Sequence, residues 1–307
     1  MLCAAIDIGS NTTRVLVAEP VEGQLKKVME QRAYTQIGKS LGSGGAIDTE
    51  KIAEVAEVVA TQMRLAQEVG AEQIRAVATA AIRKANNGDA LCEAIAEEAS
   101  INVEILSEEE EGRLSFLGAT KTLGHPVDGP VGVVDVGGGS AEVITGTVSG
   151  GVEKVFSWPV GSGNLADELI ESDPPSATEI RKVRDRIEDL FADADIPEVS
   201  QAVAVGGSAT SLRRLVGAVL EYETLERGIR VLTSDPAAEV ARRFELDPTR
   251  VRILPTGVLL LEKISDLLGM PLQIGKGGLR EGIVLDMLNG SLDASASAEA
   301  GESAAKR

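Results

Sequence analysis

Histidine, cysteine and aromatic residues are scarce in this chain. His125 is the one histidine among 307 residues, so a serine–histidine–aspartate hydrolase or a histidine-rich metal site has little material. Cys3 and Cys92 belong to no CxxC or CxxH spacing, which disfavours zinc and redox roles. Aromatics make up only 2%, so the core must be built from aliphatic side chains. No signal pattern and no run of roughly 18 apolar residues is present, so we expect a cytoplasmic protein without a membrane partner.

Positive charge is also in short supply. Lysine and arginine total 30 against 48 acidic residues, which gives a net charge of −18. This balance is against non-specific nucleic-acid binding, which needs a broad basic surface, so we expect no nucleic-acid partner. A polyanionic ligand would require basic residues to be gathered in one cleft, where the local field outweighs the total charge.

The chain is long enough for two domains of ordinary size. Residues 124–130 contain Gly, His and Pro without periodicity, and we interpret them as a boundary between domains at 1–124 and 125–290. The remaining segment, 291–307, is composed mainly of Ser, Ala, Gly and Glu without apolar periodicity. We expect this tail to be disordered.

An internal repeat is the most informative feature of the sequence. Residues 5–16 and 133–144 each contain an apolar strand, an aspartate at its end, a turn led by glycine with a hydroxyl residue, and a second apolar strand. The alignment of these positions indicates a duplicated α/β domain. Two such domains facing each other would place both turns across one cleft.

The turn at 137–140 has the composition of a phosphate-binding loop. Consecutive glycines allow several N–H groups to face one oxyanion, and Asp135 could hold a magnesium ion that bridges to the phosphate. No lysine follows, so this is not a Walker loop, and the alternating residues 142–148 predict a strand rather than the helix of a dinucleotide fold. Residues 202–210 form a third, weaker loop signal, with Gly207 and Ser208 at a helix start.

An acidic run at 107–113 predicts a helix start. Ser107 and Glu110 fit a capping box, and acids in a first turn stabilise the helix dipole by about 0.3–1 kcal/mol each. Periodicity does not identify any one glutamate as catalytic.

Taken together, these segments resemble the exopolyphosphatase and guanosine pentaphosphate phosphohydrolase family. The resemblance covers about residues 1–290 and rests on the order and spacing of ordinary motifs. Those motifs are residues 5–15, 77–83, 106–116, 134–142, 159–161, 205–208 and 278–282. It implies an α/β fold with two ribonuclease-H-like domains around a central cleft, as in the actin-like ATPase superfamily.

The resemblance also implies residue roles. Glu111 matches the general base that activates water, and Asp135 and Glu142 match the acidic positions that would bind Mg²⁺ (or Mn²⁺). Gly112 replaces the family's alanine and is expected to give Glu111 more freedom, and Gln36 stands where many relatives have arginine. The expected phosphate and substrate contacts are Ser10, Asn11, Thr12, Arg14, Arg83, Gly137, Gly138, Gly139, Ser140, Gly207, Ser208 and Arg280. Arg213, Arg214 and Lys276 are further candidates for holding phosphates.

The expected reaction is release of terminal phosphate from linear polyphosphate. The chain has no counterpart of the helical C-terminal domain of longer relatives, so we expect short polyphosphate chains. Guanosine pentaphosphate is the alternative substrate, because both molecules end in a phosphoanhydride. A sugar- or acetate-kinase-like ATPase and a non-catalytic polyphosphate or alarmone sensor are alternatives of other classes. Analogy with the family also suggests a homodimer.

Overall fold

The protein is an α/β protein built on two mixed sheets, which confirms the expected fold class. The computed structural model describes residues 1–41 and 44–290. The predicted disordered tail, 291–307, therefore lies outside the described residues.

The first sheet has five strands in the order β3-β2-β1-β4-β5, and the second has six in the order β10-β11-β9-β6-β7-β8. The strands are β1 Cys3–Ile8, β2 Thr13–Val21, β3 Gln24–Ala33, β4 Gln73–Ala78, β5 Val103–Ile105, β6 Val131–Val136, β7 Ala141–Thr147, β8 Gly151–Trp158, β9 Gln201–Val205, β10 Val219–Leu220 and β11 Leu272–Ile274. In each sheet an antiparallel meander (β1–β3, β6–β8) is followed by strands parallel to its first member, and the second sheet adds β10 as an antiparallel edge strand. This shared order confirms the predicted duplication.

Helices cover both sheets. They are α1 Ile37–Ser40, α2 Thr49–Glu68, α3 Ala80–Lys84, α4 Gly88–Ala99, α5 Glu108–Lys121, α6 Ser162–Leu169, α7 Ala177–Leu190, α8 Gly206–Val216, α9 Tyr222–Leu232, α10 Ala237–Phe244, α11 Pro248–Leu268 and α12 at 279–290. Within 1–41 and 44–290, none of these helices is long and apolar enough to cross a membrane.

Helix boundaries follow the expected end signals. Asp48 is the N-cap of α2, and Gly70, with φ +88°, ends it, because glycine adopts the left-handed conformation without strain. At α11, Asp247 accepts hydrogen bonds from the N–H groups of Thr249 and Arg250. The capping box predicted at α5 is only half formed. Ser107 accepts from the N–H of Glu110, but the Glu110 carboxylate binds Arg113 at 2.8 Å instead.

The cores are aliphatic, as the scarcity of aromatic residues predicted. A smaller cluster joins the two halves of the chain, because α12 packs Ile283, Val284 and Leu288 against the first sheet. Arg75 and Arg113 also bind the Asp286 carboxylate of α12, each at 2.8–2.9 Å. The boundary between residues 124 and 125 stays a prediction, since α12 belongs to the second segment and packs on the first.

Candidate functional site

Two equivalent hairpin turns face the cleft between the sheets. In the first, the Gly9 N–H donates to the Thr12 carbonyl at 3.0 Å, and in the second, Gly137 donates to Ser140 at the same distance. Backbone N–H groups of neighbouring helices donate hydrogen bonds to the carbonyl groups of both turns. Ser10 and Asn11 accept from the start of α1, and Gly137 and Gly138 accept from the start of α6. In the described part of the chain, no backbone hydrogen bond comes from the N–H groups of Ser10, Asn11, Gly138 or Gly139, so these donors are free for an anion.

The two turns touch each other across the cleft. A Cβ built on Gly138 would come within 2.9 Å of the Asn11 Cβ, and one on Gly139 within 2.7 Å of the Ser10 Oγ. Glycine is therefore required for the close approach of the loops, and not only for their turns. The loops border two cavities, both of which are lined by Ser10, Asn11, Gly138 and Gly139.

The front cavity, on the side of β1 and β6, has a volume of about 500 Å³. The first turn of α8 closes it, because a Cβ on Gly206 would collide with the Asp135 Oδ1 and one on Gly207 with the Arg250 Nη2. Most of the predicted site residues line it: Ser10, Asn11, Thr12, Arg14, Glu111, Asp135, Gly137, Gly138, Gly139, Ser140, Glu142, Gly207, Arg214, Lys276 and Arg280.

Glu111 lies at one end of the front cavity, in the first turn of α5. Its side chain is 14% exposed, and the Glu111 Oε2 accepts from the Arg83 Nη1 at 3.0 Å. Burial raises the pKa of Glu111 to about 7, although Arg83 acts in the opposite direction. A carboxylate with this pKa can accept a proton at neutral pH.

Gly112, next to Glu111, has a packing role. A Cβ at this position would lie 2.8 Å from Val155 Cγ2 of β8, so the family's alanine does not fit here without movement. Close packing of α5 on β8 therefore accounts for Gly112. The sequence had instead suggested that this glycine gives Glu111 more freedom.

Three further carboxylates adjoin Glu111. Asp135 and Glu142 are register partners on β6 and β7, and Asp7 ends β1 as Asp135 ends β6. Burial raises the pKa of Asp135 to about 6 and raises that of Asp7. Burial, reinforced by Glu111 and Asp135, raises the pKa of Glu142 well above its usual value. The mutual repulsion of these groups favours a cation among them.

The front cavity also has a basic end, which adjoins the carboxylates, because Arg14 and Arg280 act against burial and lower the pKa values of both Asp7 and Asp135. Arg14, Arg32, Arg250 and Arg280 line it, and a Cβ on Gly207 would lie 2.8 Å from the Arg14 Nη2. Burial, with the neighbouring Arg280, Arg32 and Arg250, lowers the pKa of Arg14 to about 9. Burial, followed by Arg32, lowers that of Arg250 to about 10. Such a cluster could bind an anion, because buried cations are costly without a full counter-charge.

Carboxylates neutralise this basic end only in part. Acting against burial, Asp7 raises the pKa of Arg14, and Glu281, Glu30 and Asp7 raise that of Arg280. Arg280 binds Glu30 of β3 at 2.8 Å. Arg14 donates only to the Thr12 hydroxyl, and the Arg250 Nε has no hydrogen-bond partner among the residues that the structure describes. The two hairpins of the internal repeat differ in charge at this position. Asp7 pairs with Arg14 in the first hairpin, whereas Asp135 pairs with Glu142 in the second.

Three predicted contacts do not line the front cavity. The Arg83 guanidinium is engaged by Glu111 and, at 2.7 Å, by the Leu106 carbonyl, so it orients the glutamate. Ser208 is fully buried in α8, and Arg213 is exposed on the same helix. Sequence reasoning missed Asp7, Arg32 and Arg250 as site residues. The repeat could have identified Asp7, since it aligns with Asp135.

The residues present suit a magnesium ion that takes some of its ligands from the protein and others from the substrate. In residues 1–41 and 44–290, no group of three or more His, Cys, Asp or Glu side chains has the spacing of a complete metal cage. Mg²⁺ is usually bound by one or two carboxylates together with water and phosphate oxygens. Asp135 and Glu142 offer those two carboxylates.

The carboxylate cluster predicts an unusual pH dependence of stability. Folded-state pKa values of about 7 for Glu111 and about 6 for Asp135 exceed the values near 4 of an unfolded chain. Between about pH 4 and 7 the folded state then binds more protons, so the free energy of unfolding should fall as pH rises through this window. Each unit of pKa difference corresponds to about 1.4 kcal/mol.

Melting temperatures in EDTA at pH 5.5 and 8 measure this effect. Asp135→Asn should reduce the difference between the two temperatures, whereas Asp193→Asn, an exposed aspartate outside the front cavity, should leave it unchanged. Equal pH profiles for all three proteins would contradict the raised pKa of Asp135.

Comparison with known proteins gives consistent findings. The model of the Ppx/GppA phosphatase family matches residues 16–291. Exopolyphosphatase 1 of Mycobacterium leprae is 26% identical over 314 residues, covering 96% of this chain and 92% of the relative. Exopolyphosphatase 2 of Mycobacterium tuberculosis is 26% identical over 287 residues, covering 85% of this chain and 89% of the relative.

Solved structures agree in fold. The Aquifex aeolicus member of the Ppx/GppA family is 28% identical, with a TM-score of 0.80, and the match covers 95% of this chain and 98% of that one. An exopolyphosphatase from Cytophaga hutchinsonii has the same fold at 19% identity, with a TM-score of 0.84 and coverage of 94% and 98%.

Proposed function

The chain belongs to the Ppx/GppA phosphatase family of phosphoanhydride hydrolases, and on this basis we propose that it releases orthophosphate from the end of linear inorganic polyphosphate. One observation carries the proposal. The front cavity combines a carboxylate end, with Glu111, free loop N–H groups, and an arginine end, with Arg14 and Arg250. This polarity suits a terminal phosphoryl group with an anionic leaving chain.

The attacking water is bound at the carboxylate end. Glu111 accepts its proton, which general-base catalysis makes worth roughly 10²–10⁴-fold. Arg83 holds Glu111 by an ion pair at 3.0 Å and so directs the carboxylate toward the cavity. The charge of Arg83 also favours the deprotonated form of Glu111, because it opposes the effect of burial on the pKa.

The terminal phosphoryl group lies against the two hairpin loops. Free N–H groups of Gly138 and Gly139, and of Ser10 and Asn11, donate to its oxygens as charge develops there. Hydrogen bonds from the starts of α1 and α6 fix the conformation of both loops, so the loops need little reorganisation to bind the phosphoryl group. Positioning and charge stabilisation of this kind dominate phosphoryl transfer to water.

The leaving chain extends to the arginine end. Attacking and leaving oxygens are roughly in line in phosphoryl transfer, so a water at Glu111 requires a leaving group on the opposite side. Arg14, Arg250 and Arg280 line the same cavity and would neutralise the chain as it departs. The arrangement explains how a protein with a net charge of −18 accepts a polyanion.

Asp135 and Glu142 would hold Mg²⁺ or Mn²⁺. A bound ion supplies Lewis-acid stabilisation of the phosphoryl oxygens. The pKa values of Asp135 and Glu142 are raised, so protons compete with the metal ion for these two carboxylates.

Metal dependence gives a test with two readouts. EDTA should abolish phosphate release reversibly, and Mg²⁺ should raise the melting temperature more at pH 8 than at pH 5.5, because the carboxylates are deprotonated at the higher pH. Asp135→Asn should remove both effects, and Asp193→Asn should remove neither. Full activity after thorough EDTA treatment and dialysis would contradict the metal role.

Phosphate release from a substrate panel tests the proposed reaction. Triphosphate, longer polyphosphates, guanosine pentaphosphate and ATP are compared at equal concentration, with Glu111→Gln as the inactive reference. We expect the highest kcat/KM on short polyphosphate. A preference for guanosine pentaphosphate would replace the substrate and keep the mechanism, whereas no release above the Glu111→Gln reference from any of them would refute the proposed hydrolysis.

A further inference from the structure

A second cavity of about 610 Å³, here called the rear cavity, also borders the two touching loops. Ser10, Asn11, Gly138 and Gly139 belong to both cavities, whereas Glu111 and the carboxylate cluster line only the front one. The rear cavity is therefore separate from the proposed reaction site and shares only a wall with it.

The rear cavity is positively charged in an acidic protein. Its charged residues are Lys39, Lys84, Arg252 and Asp167, and Asp167 already binds Lys39 at 2.9 Å. Lys84 and Arg252 take part in no ion pair among the residues that the structure describes. Two uncompensated cations remain in one concave space, where the surrounding walls concentrate their field.

Both domains contribute to this charge. Lys84 ends α3, before the predicted domain boundary, and Arg252 lies in the second turn of α11, after it. Arg252 is two residues from Arg250, which places the two side chains about 200° apart around the helix. Arg250 consequently faces the front cavity and Arg252 the rear one.

The floor between these cations is apolar. Ala80, Ala81, Pro159, Ile170 and Ile253 form much of it. Concave sites of a few hundred Å³ with an apolar lining and a few convergent charges are typical of small-molecule sites.

We propose that the rear cavity is a second phosphate-binding site, in which Lys84 and Arg252 bind a phosphate-bearing anion between the two domains. The anion links the domains as the Lys39–Asp167 ion pair does at the same cleft. Its phosphates are bound by the cations, and an organic phosphate additionally covers the apolar floor. The site does not depend on hydrolysis in the front cavity.

Binding stoichiometry tests the second site. Isothermal titration calorimetry with triphosphate, and separately with AMP, is performed on Glu111→Gln protein, which prevents turnover. The same titrations are run on this protein with Lys84→Met and Arg252→Met added. A matched control carries Arg181→Met and Lys182→Met, two exposed cations of α7 that line neither cavity.

We expect two sites in the Glu111→Gln protein and in the control, and a loss of at least about tenfold in affinity at one site in the Lys84/Arg252 variant. Loss of a triphosphate site identifies inorganic phosphate chains as ligands, and loss of AMP binding identifies organic phosphates. Both outcomes support the rear site. A single triphosphate site without AMP binding, or unchanged binding of both probes in the Lys84/Arg252 variant, would overturn it.

Failure of this proposal is distinguishable from failure of the proposed reaction. Phosphate release by the wild type tests the front cavity alone, whereas the titrations count sites in a protein that does not turn over. Circular dichroism verifies folding, which we expect to be intact because the Lys84 and Arg252 side chains are both exposed.

Discussion

Replacing Glu111 with glutamine should lower kcat for phosphate release by at least about 100-fold while the fold is retained. Glutamine keeps the size of the side chain and can still contact Arg83, but it cannot accept the proton of the attacking water. The substituted amide also removes one member of a repulsive cluster, since Glu111 raises the pKa of Glu142. The melting temperature should therefore stay equal or increase.

Glu109 provides the matched control for this experiment. It is in the same turn of α5, but it is exposed and does not line the front cavity. Glu109→Gln should leave kcat within about twofold of the wild type. Glu108 is less suitable, because its Oε1 lies 3.6 Å from the Arg83 Nη2 and its loss could disturb the orientation of Glu111. Equal activities of the Glu111 and Glu109 variants would show that the acidic run is structural.

The duplicated fold was predictable because its signal is local. Residues 5–16 and 133–144 each carry the apolar strands, the aspartate and the glycine-led turn within twelve positions. Aligning them predicts two facing hairpins, and the observed turns have the same Gly-to-hydroxyl-residue hydrogen bond at 3.0 Å. Long helices with end signals, such as α2 between Asp48 and Gly70, were equally clear.

Strand β3 had no comparable signal. Its sequence, from Gln24 to Ala33, is mostly polar and exposed, because it is an edge strand that pairs on one side with β2. Hydrophobic alternation is weak in such a strand. Its absence from the prediction also concealed Glu30 and Arg32, which β3 brings to the front cavity.

The roles of the arginines depended on tertiary structure. Arg83 was a candidate substrate contact, and its guanidinium instead bonds to Glu111 and Leu106, 28 and 23 residues along the chain. Arg250 is in the first turn of a capped helix, where a basic residue has no distinctive pattern. Arg250 reaches the front cavity only because α11 approaches the first turn of α8 at Gly207. The assignment of the base and of the metal ligands stays a prediction.

Replacing Arg250 with methionine should have opposite effects on the free protein and on its complex with an anion. Arg250 is 4% exposed, and burial together with Arg32 lowers its pKa to about 10. Methionine fills similar space without the charge, and replacing a poorly compensated buried ion by an apolar residue is often stabilising by about 1–4 kcal/mol. The melting temperature without ligand should rise. The KM for triphosphate should rise at least about tenfold, because one buried cation no longer contacts the leaving chain.

Linkage makes the two effects quantitative. At saturating ligand, a tenfold loss of affinity removes about 1.4 kcal/mol from the stabilisation that triphosphate provides. Thermal shifts by triphosphate in the Glu111→Gln background, with and without Arg250→Met, should reveal this loss. Arg213→Met, an exposed cation outside the front cavity, should change neither the starting melting temperature nor the shift. A lower starting melting temperature with an unchanged shift would mean that Arg250 supports the fold and that the arginine end does not bind the substrate. The predicted combination, a more stable free protein and a weaker complex, is expected only if the bound anion compensates the charge of Arg250.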